Sequence, residues 1–354
     1  MSHEAEMPPS ETQPESNRAC VDRHDMDAAN QASSPGDWFR AELARFGPDS
    51  STDWSLAECE KYCQKWAVQS YENFTVVSWL LPRVLRRHFY NVYAYCRWSD
   101  NLADEIASDS ESLRLLDWWE DELRKCSGGR PKHPVMRAVQ ATIESLELSD
   151  EPFRNLLSAF RQDRVVNRYE TNDDLLDYCR RSADPVGRIL LAMAKSDSAE
   201  NIELSDRVCT GLQIANFCQD MARDAAINRI YAPRSLWQKH RVSEEMLLGQ
   251  QCQSELKVLL ADWVASTREF FRQGWPLVHR VPKWLATDVE LFIRGGTEIL
   301  NQVAASDYDV WTERPTVTKS RKLMLAGQAL TGRAFGRAKT LTQNWGTKHQ
   351  GSQV

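Results

Sequence analysis

From Trp38 to about residue 340 the chain keeps one pattern: apolar residues recur every three or four positions, the interval that gathers them on one face of an α-helix. Segments of this kind run over about 55–70, 82–107, 110–126, 133–147, 151–168, 172–195, 203–225, 242–250, 253–273, 284–304 and 318–341. Chain breakers fall between them, at Gly128-Gly129-Arg130-Pro131 and from Asn228 to Pro233. No alternating run bounded by turn residues reads as a strand, and no period marks a solenoid. The expectation is an all-α fold, one large helical domain over residues 38–340, with a frayed polar C-terminus at 341–354.

The N-terminus is different. Residues 1–35 hold seven acids, two bases and four prolines but no Leu, Ile, Phe, Trp or Tyr, so a disordered acidic tail is expected over 1–37. The whole chain carries 44 Lys+Arg against 50 Asp+Glu, a net charge of −6, which argues against a nucleic-acid partner. No apolar run reaches the ~18 residues of a membrane span, and no secretory signal is visible. The expected location is cytoplasmic, with peripheral membrane contact and pathway partner enzymes left open and the oligomeric state unread. Nine cysteines without a C-x2-C pair read as reduced thiols; the closest two, Cys59 and Cys63, have helical spacing.

Chemistry concentrates on two segments. In the first, Tyr93-Ala94-Tyr95-Cys96-Arg97-Trp98-Ser99-Asp100-Asn101-Leu102-Ala103-Asp104-Glu105, a helix puts Tyr93, Arg97, Asp100 and Asp104 within about 60° of one another. Arg97 and Asp100 alone would be a buried ion pair, but that leaves Asp104 without a partner. In the second, Gly211 to Asp224, the residues Asn216, Asp220 and Asp224 step by four along one face, with Gln213 a turn earlier. One such stripe is as consistent with a solvated face; two with the same D-x3-D spacing point to chemistry. Hard divalent cations take oxygen ligands, and Mg²⁺ uses one or two carboxylates plus phosphate oxygens. Two facing acidic helices could hold two or three Mg²⁺ ions that grip a diphosphate leaving group, beside an apolar, aromatic wall. A di-iron bundle would need Glu-x-x-His pairs, which these helices lack.

At these residues the chain resembles the squalene/phytoene synthase family of head-to-head prenyl synthases, over about residues 55–325. YAYCRWSDNLADE and QIANFCQDMARD match its two aspartate motifs. Tyr178-Cys179-Arg180-Arg181-Ser182-Ala183-Asp184-Pro185-Val186-Gly187 matches a third signature, and the stretch Asn73 to Pro82 a fourth. The wording is most similar to bacterial hydroxysqualene synthase of the hopanoid route. The resemblance departs at Asn101, in place of a second aspartate, and at Ser70, Asp184 and Asn228.

The resemblance implies an isoprenoid-synthase-type bundle around a central apolar cavity. Asp100, Asp104, Asp220 and Asp224 would be the metal-binding carboxylates, with Asn216 an assisting ligand and Gln219 beside the metals. Arg97 would contact the diphosphate, with Arg229 and Tyr231 further phosphate-side candidates and Tyr308 and Arg314 on a C-terminal stretch closing over it. Tyr178 would sit near the reacting carbons, while Phe74, Ala183, Val186, Gly187 and Leu212 would line the hydrocarbon channel; Tyr93 and Gln213 complete the substrate-side set.

The implied reaction converts presqualene diphosphate and water to hydroxysqualene and diphosphate, with Mg²⁺ and without NADPH. Absence of a Rossmann fingerprint agrees with the last point. Two other readings compete: a condensing synthase making presqualene diphosphate, squalene or phytoene, and an inactive family member acting as an assembly protein.

Overall fold

The computed structural model describes residues 35–50, 53–69, 81–249, 251–318, 321, 324–325 and 327–329. Residues 1–34 of the expected tail, Ser70, Phe74 with most of the Asn73–Pro82 motif, and the C-terminal residues from 330 lie outside these; residues 35–37 open a helix instead. Two compact units divide at Arg45 and Phe46. The described part of the first is one helix, α1 (Pro35–Phe46), which runs across the division. Among its described residues the second carries twelve α-helices: α2 (Leu56–Gln69), α3 (Arg83–Asp104), α4 (Asp109–Arg124), α5 (Pro134–Leu146), α6 (Glu151–Asp163), α7 (Asn172–Ser182), α8 (Asp184–Met193), α9 (Ala199–Ala226), α10 (Arg234–Lys239), α11 (Glu244–Leu248), α12 (Ser254–Gly274) and α13 (Lys283–Ala305). No strand occurs among the described residues; Arg168 and Ile230 form an isolated bridge. The fold is all-α, as the apolar periodicity requires.

One expected helix is in fact two. The 172–195 run breaks at Ala183, where φ −119° and ψ −50° depart from helical values. Pro185 is the reason: it lacks an N–H and its ring opposes a continuing turn, but it suits the first turn of the helix that follows. The 151–168 run stops at Asp163, and Arg164–Asn167 turn away toward the Arg168 bridge.

Two clusters form the core. In the first, α2, α3, α4 and α5 bury Trp66, Trp98, Trp119 and Tyr95. Trp98 and Trp119 stack at 5.5 Å, and both meet the His133 ring in T-shaped contacts at 4.4 and 4.7 Å. Tyr95 donates from its hydroxyl to the Phe153 carbonyl at 2.8 Å, which fixes α3 against α6. In the second cluster α9 packs against α12, α13 and α8. Close approach there needs glycine: a Cβ on Gly296 would lie 2.3 Å from the Phe271 ring, and one on Gly187 2.3 Å from Ser205 Oγ. The site lies where α3, α6, α7 and α9 meet.

Candidate active site

The two acidic helices end at the same place. Asp104 is the last residue of α3, Asp163 the last of α6, and Asp224 stands in the last turn of α9. A helix C-terminus is the negative end of the backbone dipole, so each position disfavours a carboxylate. Their mutual repulsion is felt across the gap: Asp104 and Asp100 both push up the Asp163 carboxyl, and Asp163 in turn acts on Asp224. Arg229, just past α9, is the cation that spans them. Its Nη2 lies 3.6 Å from Asp104 Oδ1 and donates to the Asp163 carbonyl at 3.2 Å.

Charge in this cleft is only partly balanced. Burial, then the neighbouring Asp104, raises Asp100 to about 6 although Arg97 donates to it at 2.5 Å. Burial, then Asp220, raises Asp224 to about 7. Burial raises Asp163 to about 7 as well, against the bond it accepts from the Tyr178 hydroxyl at 3.0 Å. Asp220 is gripped by Arg314, whose Nη2 donates to its Oδ2 at 2.9 Å and to Gln219 Oε1 at 3.1 Å. Gln219 itself is buried and donates to the Pro315 carbonyl at 2.6 Å, holding the segment after Thr312 on α9.

Behind the acids lies a cavity of about 300 Å³, lined by Asp100, Asp104, Asp163, Arg229, Tyr231 and Tyr178 at one end and by Leu156, Ala159 and Phe160 of α6 toward the other, with Ser182 and Gln213 in its wall. An outer cleft of about 500 Å³ shares Asp104, Asp163 and Arg229 with it and opens past Val165, Ile227 and Asn228. Aromatic rings back the acid end. Tyr231 stacks on Phe217 at 3.8 Å and lies 5.8 and 5.9 Å from Tyr178 and Tyr169. Such faces, clustered where water is scarce, stabilise positive charge.

The structure brings Asp100, Asp104, Arg97, Tyr178, Gln213, Arg229 and Tyr231 to this cleft, with Asp220, Asp224 and Arg314 alongside. Asn216 is exposed on the same helix, and Tyr93 is half-buried on α3. Other expected residues serve elsewhere. Val186 is exposed, and neither it nor Ala183, Gly187 or Leu212 lines the cavity. Gly187 faces Ser205 and Cys209, so its small size lets α8 approach α9. Leu212 borders Gly296, Tyr308 packs on the second core cluster with φ 59°, and Asn101 is buried on α3 and does not line the cavity. Sequence reading missed Asp163, Phe160, Phe217 and Tyr169.

The family model for squalene/phytoene synthase matches residues 67–321. The chain belongs to the squalene/phytoene synthase family. Members of the squalene/phytoene synthase family process isoprenoid diphosphates and generally depend on divalent metal. Hydroxysqualene synthase of Zymomonas mobilis is 31% identical over 267 residues, covering 75% of this chain and 89% of that protein. Phytoene synthase of Arthrospira platensis is 26% identical over 293 residues, covering 78% and 94%. The crystal structure of squalene synthase HpnC from Alicyclobacillus acidocaldarius is 39% identical, with TM-score 0.68, covering 72% of this chain and 95% of that one.

The donor set suits a hard cation. No three His, Cys, Asp or Glu side chains converge into a ready metal cluster among the described residues. Mg²⁺ does not need one, since it keeps waters and is completed by phosphate oxygens. What it needs is closely spaced carboxylates, and Asp100 with Asp104 and Asp220 with Asp224 are two such pairs, close enough that Asp104 pushes up Asp100 and Asp220 pushes up Asp224.

Proposed function

We propose that this protein is a hydroxysqualene synthase, ionising presqualene diphosphate and capturing the rearranged cation with water. One observation carries the reading: a carboxylate-rich mouth opens onto a cavity with Tyr178 and Tyr231 at the acid end and Leu156, Ala159 and Phe160 toward the other. That is the arrangement a diphosphate with a long hydrocarbon tail requires. Higher identity to the Zymomonas mobilis hydroxysqualene synthase, 31%, than to the Arthrospira platensis phytoene synthase, 26%, supports the choice of reaction. The catalytic domain on this reading is residues 38–340.

Asp100, Asp104, Asp220 and Asp224 would hold the metal, with Asn216 assisting. Bound Mg²⁺ supplies positive charge that stabilises the departing diphosphate. Arg97 and Arg314, now paired with Asp100 and Asp220, are the guanidiniums placed to hold diphosphate oxygens in a forked grip. Arg229 keeps the C-terminal ends of α3 and α6 together from the other side. Tyr178 and Tyr231 are the cavity-lining rings that would stabilise the carbocation, with Phe217 stacked behind Tyr231. The Tyr178 proton is committed to Asp163, which fixes the phenol's orientation. Leu156, Ala159 and Phe160 hold the hydrocarbon and keep bulk water out.

The test is turnover of presqualene diphosphate in ¹⁸O-water with Mg²⁺ and no reductant. The expected product is a C30 alcohol carrying the label. A hydrocarbon formed only with NADPH, or consumption of farnesyl diphosphate but not of presqualene diphosphate, would instead identify a squalene-forming or condensing synthase. The phytoene synthases among the relatives are the specific reason to run the second substrate.

A further inference from the structure

We infer that Ser182, together with Gln213, holds inside the hydrocarbon cavity the water molecule that captures the carbocation; the inference rests on the hydroxysqualene reading above. The Ser182 hydroxyl is buried and has no hydrogen-bond partner, and Ser182 lines the 300 Å³ cavity. Other buried hydroxyls here are satisfied: Ser99 donates to the Tyr95 carbonyl at 2.8 Å, Ser112 to the Leu102 carbonyl at 2.8 Å, Thr142 to the Ala138 carbonyl at 3.0 Å. Thr297 is the other buried hydroxyl left alone among the described residues, and it does not line this cavity. A buried hydroxyl left without a partner is costly, and a water bridging it to other polar groups removes that cost. The cavity is roomy for one, since a water occupies about 30 Å³.

The position of Ser182 fits capture rather than ionisation. Arg181 bonds Ser158 and Gln162 while Tyr178 bonds Asp163, so α7 runs back along α6. Ser182, one turn beyond Tyr178, therefore falls at the level of Leu156 and Ala159, about 5 Å deeper than the acids. A water there would have the Ser182 hydroxyl and the Gln213 amide as partners, which meets the two that an ordered water needs. Beside Ser182 the α6 wall is Leu156, Ala159 and Phe160, which offer such a water no hydrogen bond.

The chemistry balances without an added oxidant or reductant. The C–O bond of the substrate breaks and its electron pair leaves with diphosphate. A lone pair of the held water forms the new C–O bond to the rearranged cation. The oxonium proton passes to the released diphosphate. Without the water, the same base removes a proton from a neighbouring carbon, that C–H pair becomes a C=C bond, and the product is a hydrocarbon.

The experiment compares wild type, Ser182→Ala, Ser182→Val and Ser182→Thr, each turning over presqualene diphosphate in ¹⁸O-water with Mg²⁺ and no reductant. Alcohol and hydrocarbon are quantified per diphosphate released, so a slower variant is still read. The expected result is labelled alcohol from wild type and Ser182→Thr, with the alcohol share at least about tenfold lower in the Ala and Val variants and hydrocarbon in its place; tenfold corresponds to about 1.4 kcal/mol of water binding. An unchanged alcohol share in Ala and Val overturns the inference and leaves the function standing. Loss of diphosphate release in Ser182→Ala alone also overturns it, because the hydroxyl would then serve ionisation. Wild type that yields no alcohol overturns the proposed function, and this inference falls with it.

Discussion

A carboxyl held near 7 in the folded chain, as at Asp163, makes folding take up a proton. The unfolded chain keeps an aspartate near its ordinary value of about 4. Between about pH 4 and pH 7 the native state is therefore the more protonated, and stability falls as pH rises through that window. Asp163→Asn keeps the oxygen that accepts from Tyr178 and removes the charge. It should raise the metal-free thermal midpoint at pH 8 by roughly 2–6 °C, for 1–2 kcal/mol, and the gain should vanish toward pH 4. Thermal melts of both proteins across that range check it, and a lower midpoint for the variant at pH 8 would refute the assignment of burial as the dominant cause. Asp163 also marks where sequence reading stops. Asp100 with Asp104, and Asp220 with Asp224, announce themselves by a four-residue step that only a shared helix face explains. Asp163 is a lone acid in the run Arg161-Gln162-Asp163-Arg164, and its partners Tyr178 and Tyr231 come from other elements. Ser182 is equally silent, because an unmet hydrogen bond has no sequence signature. The Arg314–Asp220 pair spans 94 residues, which no local pattern encodes.

Helix positions were legible to within a few residues because burial imposes the 3.6-residue period along most of the chain. The periodicity ran straight through Ala183 and hid a break that Pro185 makes unavoidable; the apolar period persists because α7 and α8 both face α6 and α9. Short elements were the harder ones: the six-residue α10 holds too little repeat to register. Interhelix distance is encoded more subtly, by glycine. Gly296 on α13 faces the Phe271 ring of α12, itself fully buried and unable to swing away. Gly296→Ala should cost about 1–3 kcal/mol, the usual penalty for overpacking, although alanine is the better helix former. Trimming the obstacle with Phe271→Leu in the same chain should recover part of the loss beyond what the two single changes predict. Denaturant melts of the four proteins give that coupling directly, and strict additivity would mean the two helices do not meet through this contact.

Across the whole molecule, charge is distributed in a way that makes the cleft's negative field local. Residues 1–35 account for −5 of the net −6, from two bases and seven acids, leaving −1 on the remainder. The body is thus near neutral, and the carboxylates at the ends of α3, α6 and α9 stand out against it. An anionic diphosphate approaching that mouth is repelled unless cations arrive with it, and cations bind weakly there while phosphate oxygens are missing from their coordination shell. The two should therefore bind together. Mg²⁺ alone or inorganic diphosphate alone should move the thermal midpoint little, whereas both at about a hundred times their joint dissociation constant should add about 2.7 kcal/mol, several degrees for a chain of this size. Chelation with EDTA should erase the shift. Asp220→Ala should erase it too while the helical circular dichroism stays intact, since Arg314 keeps its bond to Gln219 and the removed carboxylate was one of a repelling pair with Asp224. Differential scanning fluorimetry on the full chain reads all of these arms. A full shift with diphosphate in the presence of EDTA would mean that Arg97, Arg229 and Arg314 suffice to bind the anion, and the carboxylates would then need another role.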